Sequence, residues 1–236
     1  MTVTETPRRS SYVRMRGREF PVGDMCWRRA FPGIPAEARR ARDFTRFLLQ
    51  GSPRMDDVIL AGHSYAGTVV TGVADRIPER LARVVFVDSA PLADGMAMTD
   101  LFPPEALAGM KETVERYGDG WKLPFPGWEI VGAGASLEGI SDEDLLSIEA
   151  RAEPMPWGTY TQPLRLEHKT PEWLGTIIAC DDMRSLVEAG EPMITQFTQP
   201  PWQWIEMQTG HWPMFSAPDD LAEILNSLAP EEVEAD

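Results

Sequence analysis

VILAGHSYAGTVVTGVAD, residues 58–75, decides the fold. Val58 to Ala61 is a short apolar run, β-branched at its start, of the kind that a parallel sheet buries on both faces. The turn segment Gly62-His63-Ser64-Tyr65-Ala66-Gly67 follows at once, and the small and apolar residues from Tyr65 to Asp75 suit a helix packed closely on a sheet. Pro78 bounds that helix, and Val84 to Asp88 is a second buried strand, so strand, helix and strand fill about 30 residues, the length of one βαβ unit. A serine on a cramped turn between strand and helix has its Oγ exposed at the carboxyl end of the sheet, and the turn needs small neighbours such as Gly62 and Gly67. The helix beginning at Tyr65 directs its first N–H groups and positive dipole end toward the same place, which makes Tyr65 the expected oxyanion donor. A serine between small residues serves as readily as a helix N-cap. The strand before it and the helix after it favour a nucleophile.

Working outward, Ala36 to Leu49 places Ala38, Ala41, Phe44, Leu48 and Leu49 at helical steps. Residues 95–172 change character, with proline-rich stretches, helical pieces at Pro104 to Tyr117 and Ser141 to Ala152, and Trp121, Trp128 and Trp157. This segment reads as a helical cap inserted in the sheet. A third apolar run, Thr176 to Cys180, ends in Asp181-Asp182, and a fourth, Trp204 to Met207, leads to Gly210-His211. A last helix begins near Ser216 to Asp219, where Ser and Asp side chains suit a cap, and would bury Leu221, Ile224, Leu225 and Leu228. The tail from Glu231 to Asp236 is expected to fray. The expected architecture is α/β: one domain over residues 1–236, with a mostly parallel doubly wound sheet and a cap at about 95–172. The N-terminal strands are expected to be truncated or remodelled, because Tyr12 to Phe20 carries four charged residues among nine.

Composition narrows the class. A content of 43% hydrophobic and 25% charged residues is that of a globular protein, and no stretch approaches the ~18 apolar residues of a membrane span. The first twenty residues have no apolar centre of a secretory signal, so the cytoplasm is the expected location. Cys26 and Cys180 stand far apart, with neither disulfide-framework nor metal-ligand spacing. No metal and no cofactor is expected. Of 22 bases and 37 acids, residues 1–50 hold 11 arginines against 5 acids, leaving 11 bases against 32 acids in the remainder. Those arginines lack aromatic interleaving and sit beside a strongly acidic body, which argues against nucleic acid as a partner. The partner expected instead is a small molecule.

A serine hydroxyl is a poor nucleophile until a base takes its proton, and a third group must orient that base. His63 is too near Ser64 in sequence to bridge to its hydroxyl and is read as shaping the turn, whereas His168 lies in a charged stretch and reads as a surface residue. His211, after a strand and before the last helix, is the expected base. The acid should end the preceding strand, where both Asp181 and Asp182 stand. Asp182 is preferred, Asp181 stays open, and Asp88 at the end of the second strand is a third choice.

VILAGHSYAGTVVTGVADRIPERLARVVFVDSAPLADG, with FPPEALAGM, GDGWKLPFP, TYTQPLRLE and TGHWPMFSAPDDLAEIL, resembles the bacterial α/β hydrolases related to plant methylesterases and hydroxynitrile lyases. The resemblance spans about 180 of the 236 residues. It implies an α/β-hydrolase fold, action on small carboxylic esters, and a triad of Ser64, Asp182 and His211. Two departures stand out: the family spaces its aspartate further past the position of Cys180, and relatives open with an apolar strand and a His-Gly or Pro-Gly loop that donates a second oxyanion N–H. Gly23 to Arg29 is the nearest counterpart of that loop. A weakened serine esterase is therefore expected, with Trp121, Trp128 and Trp157 lining the substrate cavity and a second copy of the chain as the partner that could complete the sheet. A lyase or cyclase with His211 as general base is the alternative enzyme, and a noncatalytic binding protein without a complete oxyanion hole is the alternative outside catalysis.

Overall fold

The computed structural model describes the strands Tyr12–Met15 and Arg18–Pro21 and residues 58–168 and 173–229. The expected helix at 36–49, the Gly23 to Arg29 loop and the tail at 231–236 lie outside the described residues. The chain divides into two units, Met1–Phe31 and Pro32–Asp236. In the first, β1 (Tyr12–Met15) and β2 (Arg18–Pro21) pair antiparallel, with Val13 opposite Phe20 and Arg14 opposite Glu19. Tyr12 to Phe20 has charged residues set between apolar ones, in place of the continuous apolar run of a buried parallel strand.

In the second unit β3 (Val58–His63), β4 (Leu81–Val87), β7 (Gly175–Ala179) and β8 (Gln203–Glu206) form a parallel sheet in the order β3-β4-β7-β8. All four coincide with the apolar runs. Both faces of the sheet are covered, which explains why its strands read as continuous apolar runs. On one face Val84 and Phe86 of β4 and Ile177 and Ala179 of β7 pack with Val70 and Ala74 of α1 (Ala66–Ala74). On the other, Val85, Val87, Ile178 and Cys180 pack with Met207, Leu221 and Leu228. Cys180 is a free thiol whose pKa burial pushes up to about 12.

Between β4 and β7 lie α2 (Pro104–Tyr117), the short strand β5 (Lys122–Leu123), α3 (Trp128–Gly132), α4 (Asp142–Glu149), β6 (Met155–Pro156, paired with β5) and α5 (Trp157–Thr161). The helix α6 (Asp181–Glu188) follows β7, α7 (Pro192–Thr195) precedes β8, and α8 (Pro213–Ser216) and α9 (Pro218–Ser227) close the described chain. The start of α9 differs from expectation. Pro218 occupies its first turn and no side chain caps it, because the Ser216 hydroxyl is engaged with Thr209 Oγ1 and donates to Trp212 O at 3.1 Å. Proline removes one of the N–H groups a cap would have satisfied. Of the four apolar residues expected on its inner face, Leu221 and Leu228 are buried and Ile224 and Leu225 are half-buried.

Asp75 ties the end of α1 to the far end of the segment between β4 and β7. Its carboxylate, 6% exposed, accepts the N–H groups of Glu167 at 2.6 Å and His168 at 3.0 Å, while His168 Nδ1 lies 3.2 Å from it. Burial raises the Asp75 pKa, but the bonds from Glu167 and His168 outweigh it and hold the carboxyl below its ordinary value. Asp75→Ala leaves those N–H groups without their acceptor and is expected to cost about 1–3 kcal/mol in a denaturant titration. Because the folded pKa is depressed, the contribution is full above the ordinary pKa of 3.8 and is lost as pH falls below it. An unchanged acid limb in the variant would show that Asp75 holds nothing.

Candidate active site

Ser64 stands in the turn between His63, which ends β3, and the start of α1, with φ at 51°, in the left-handed region that side-chain-bearing residues seldom occupy. The turn is held open by short contacts. Ser64 N–H donates to Val87 O at 3.1 Å, and Ser89 Oγ donates to Ser64 O at 2.6 Å. A Cβ on Gly67 would collide with Ser89 Oγ and come within 3.1 Å of Ala90 O, and one on Gly62 would lie 2.8 Å from Ala66 O. The small residues of the sequence therefore follow from the tightness of the bend. The Tyr65 side chain leaves the turn toward the segment between β4 and β7, where its hydroxyl donates to Thr159 O at 3.3 Å and its ring lies 5.3 Å from that of Tyr160.

His211 is 8% exposed and is reached from the ends of two strands and the start of a helix. From the end of β4, Asp88 Oδ2 accepts from Nδ1 at 2.7 Å; from the start of α6, Asp182 Oδ2 lies 3.0 Å from the same nitrogen. His63, at the end of β3 and next to Ser64, places Nε2 2.6 Å from the His211 carbonyl oxygen. A carbonyl only accepts, so His63 Nε2 carries the hydrogen. Burial and the neighbouring imidazole lower the His63 pKa to about 4, so it is neutral across the physiological range. Burial also opposes a charge on His211, but its bonds to Asp182 and Asp88 outweigh burial and raise it to about 9.

The two acids are held differently. Asp88 also has a left-handed backbone, φ 41°; its side chain is fully buried, and Oδ1 accepts the N–H groups of Cys180 at 2.9 Å and Met183 at 3.1 Å. Asp182 is 22% exposed, and its Oδ1 accepts the N–H of Ser136 at 2.8 Å. Asp181 turns away from the imidazole, bonded to Ser136 Oγ at 2.8 Å and paired with Arg184. One ligand atom each of Asp88, Asp182 and His211 lies within 4.8 Å of the others. Nδ1 is within hydrogen-bond reach of both carboxylates, so a hydrogen carried there has two acceptors.

Of the residues expected from the sequence, the structure brings His211 and Asp182 together. Asp88, the third choice among the acids, is the nearer carboxylate on Nδ1, because β4 lies next to β7 in the sheet and ends beside the histidine. The bond from His63 to the His211 carbonyl has no signal in the sequence. The tryptophans lie around this centre in unequal ways. Trp128 donates to Leu145 O at 3.2 Å and meets the Trp212 ring edge-on at 5.9 Å, and Trp212 meets the His211 ring edge-on at 4.7 Å. Trp157 lies 6.1 Å from Tyr160, the ring neighbour of Tyr65, and its N–H donates to Trp121 O at 2.8 Å. Trp121 is 38% exposed, with the Lys122 ammonium 5.4 Å from its ring. A cavity bordered by Arg83, Gln203 and Leu228 lies at the opposite end of the strands, far from Ser64.

The order β3, tight serine turn, α1, β4, then a late acid and histidine is matched by the model of the Alpha/beta hydrolase family over residues 13–224. The chain belongs to that family. It is 29% identical over 188 residues to a carbendazim hydrolyzing esterase of Nocardioides sp. (strain SG-4G), covering 74% of this chain and 72% of that protein. It is 26% identical over 193 residues to putative methylesterase 14, chloroplastic, of Arabidopsis thaliana, covering 77% of this chain and 55% of that protein. The chain therefore spans about half the length of that plant relative. An extracellular alpha/beta-hydrolase from a Paenibacillus species has the same fold at 20% identity, with a TM-score of 0.65 over 85% of this chain and 86% of that one. Tomato methylketone synthase I shares it at 18% identity, with a TM-score of 0.61 over 84% and 78%. The methylesterase-like resemblance and the α/β-hydrolase fold are thus as expected. Among the described residues no helix is long and apolar enough to cross a membrane.

Proposed function

We propose that the protein is a serine esterase acting on small carboxylic esters, with Ser64 as nucleophile, His211 as base and Asp88 and Asp182 as the acids on its Nδ1. The observation that carries this reading is the Asp88–His211 bond of 2.7 Å, because a carboxylate on Nδ1 leaves Nε2 to take the serine proton. The bond from His63 to the His211 carbonyl supports it by linking the base to the neighbour of Ser64. Esterase and methylesterase names among the relatives support the substrate class. In the proposed reaction, Ser64 Oγ attacks the acyl carbon as its proton passes to His211. The alkoxide leaves with that proton, and water repeats the sequence to release the acid and restore the serine. The N–H of Tyr65, next after the nucleophile, is proposed as one oxyanion donor. The segment 95–172 is proposed as the cap, with Trp121, Trp128 and Trp157 against the substrate.

The imidazole must be neutral to accept a proton, and its pKa is raised to about 9. Hydrolysis of p-nitrophenyl acetate is therefore expected to climb about tenfold per pH unit below 9 and to level off above it. A profile flat from pH 6 to 9 would contradict His211 as the base. A second reading, a lyase or cyclase, is favoured by one observation: two carboxylates on Nδ1 stabilise the imidazolium formed by abstracting any proton, whether or not an acyl-enzyme follows. Hydrolysis that survives loss of the Ser64 hydroxyl would favour it.

A further inference from the structure

Asp88 and Asp182 both address Nδ1 of His211, and one imidazole needs only one orienting acid. Asp88 meets that need. It is buried, anchored by two backbone N–H groups, and the nearer of the two. Asp182 divides its carboxylate, with Oδ2 on His211 and Oδ1 on the N–H of Ser136, in the loop 135–138 between α3 and α4. That loop also grips the histidine backbone: His211 N–H donates to Ser136 O at 2.8 Å and Gly210 N–H to Glu138 O at 3.2 Å. The approach is so close that a Cβ on Gly210 would lie 2.7 Å from Ser136 O and from Glu138 N and O.

We infer that Asp182 is a positioning residue through which the loop 135–138 controls when His211 is free to accept a proton, while Asp88 holds the ring's orientation. The groups around the imidazole leave this part to Asp182. His63, on the β3 side, is neutral across the physiological range, and the buried Cys180 thiol, pushed up to about 12, carries no charge. Asp181 is occupied by Arg184 and Ser136 Oγ. Among the described residues the charged groups facing Nδ1 are therefore Asp88, which is fixed in the core, and Asp182, whose hold depends on a loop N–H. A loop displaced by ligand would let Asp182 swing away and free the imidazole of its proton.

The inference rests on His211 being the base of the proposed reaction, so its test reads the imidazole itself. In proton-carbon NMR titrations of the full chain, with the His211 signal assigned by comparison with His211→Gln, Asp182→Asn is expected to lower the His211 midpoint by about one unit. Gly210→Ala, which pushes the loop away, is expected to lower it too, and to add nothing where Asp182 is already Asn. If esters are hydrolysed, the ratio of kcat/KM at pH 7 to that at pH 9 rises about fivefold in Asp182→Asn. An unmoved midpoint in Asp182→Asn overturns the inference, as does a Gly210→Ala shift that is absent or equal in both backgrounds. A protein without esterase activity but with these shifts would refute the proposed reaction alone.

Discussion

Ser64→Ala is expected to reduce ester hydrolysis by ~10⁴-fold or more while leaving the melting temperature near that of the parent protein. The size of the loss follows from what the hydroxyl does: without it no acyl-enzyme forms, and only the binding and polarising groups remain. Little stability is at risk. The bend is held by backbone bonds, Ser64 N–H to Val87 O and Gly67 N–H to Ser64 O, together with the Ser89 hydroxyl on Ser64 O, and none of these uses Ser64 Oγ. A methyl group occupies the same left-handed backbone at φ 51° as the serine did, so the strain is common to both proteins. Hydrolysis within tenfold of the parent would remove Ser64 from the mechanism.

Asp88→Asn is expected to cost ~10⁴-fold in kcat with little change in fold, the effect of presenting an amide N–H where a carboxylate should accept. The variant side chain has two ends and two tasks. Its carbonyl oxygen can still accept from Cys180 N–H and Met183 N–H, which fixes the amide nitrogen toward His211 Nδ1. Two donors cannot share that contact, so only Asp182, at 3.0 Å, is left to hold a hydrogen on Nδ1, and every ring that moves its hydrogen to Nε2 has lost the nitrogen meant to take the serine proton. Asp182→Asn lacks this forced geometry, because its Oδ1 is held by a single N–H and its side chain is only half-buried. Equal losses in the two variants would mean that the acids are interchangeable on the ring.

Much of this fold is legible in the sequence for a physical reason. Strands covered on both faces must be apolar without interruption, as Val84 to Val87 and Ile177 to Ala179 are, and the tight turn at Ser64 leaves no room for a Cβ at Gly62 or Gly67. The hairpin of the first unit was less visible, since strands carrying Arg14, Arg18 and Glu19 have no such apolar signature. At the proposed site, the choice of serine and histidine follows from chain order, but which carboxylate lies nearer the imidazole does not. Asp88 and His211 are 123 residues apart, and their meeting depends on strand β4 lying beside both β3 and β7 in the sheet. Asp182 shows the opposite case, where position after a strand was enough to place it near the base, while its second bond, to Ser136, depends on how a loop of the inserted segment folds back.

The proposed activity requires Ser64 to be a nucleophile activated by its neighbours, and the mass of the intact protein after exposure to a fluorophosphonate reads that property directly. Reaction needs an activated serine but no particular ester, so the answer does not wait on the natural substrate. A single phosphonyl adduct is expected, mapped by peptide sequencing to Ser64, forming faster as pH rises toward 9 and absent from both Ser64→Ala and His211→Gln. An unmodified protein, or an adduct on another residue that persists in Ser64→Ala, would contradict the proposed activity.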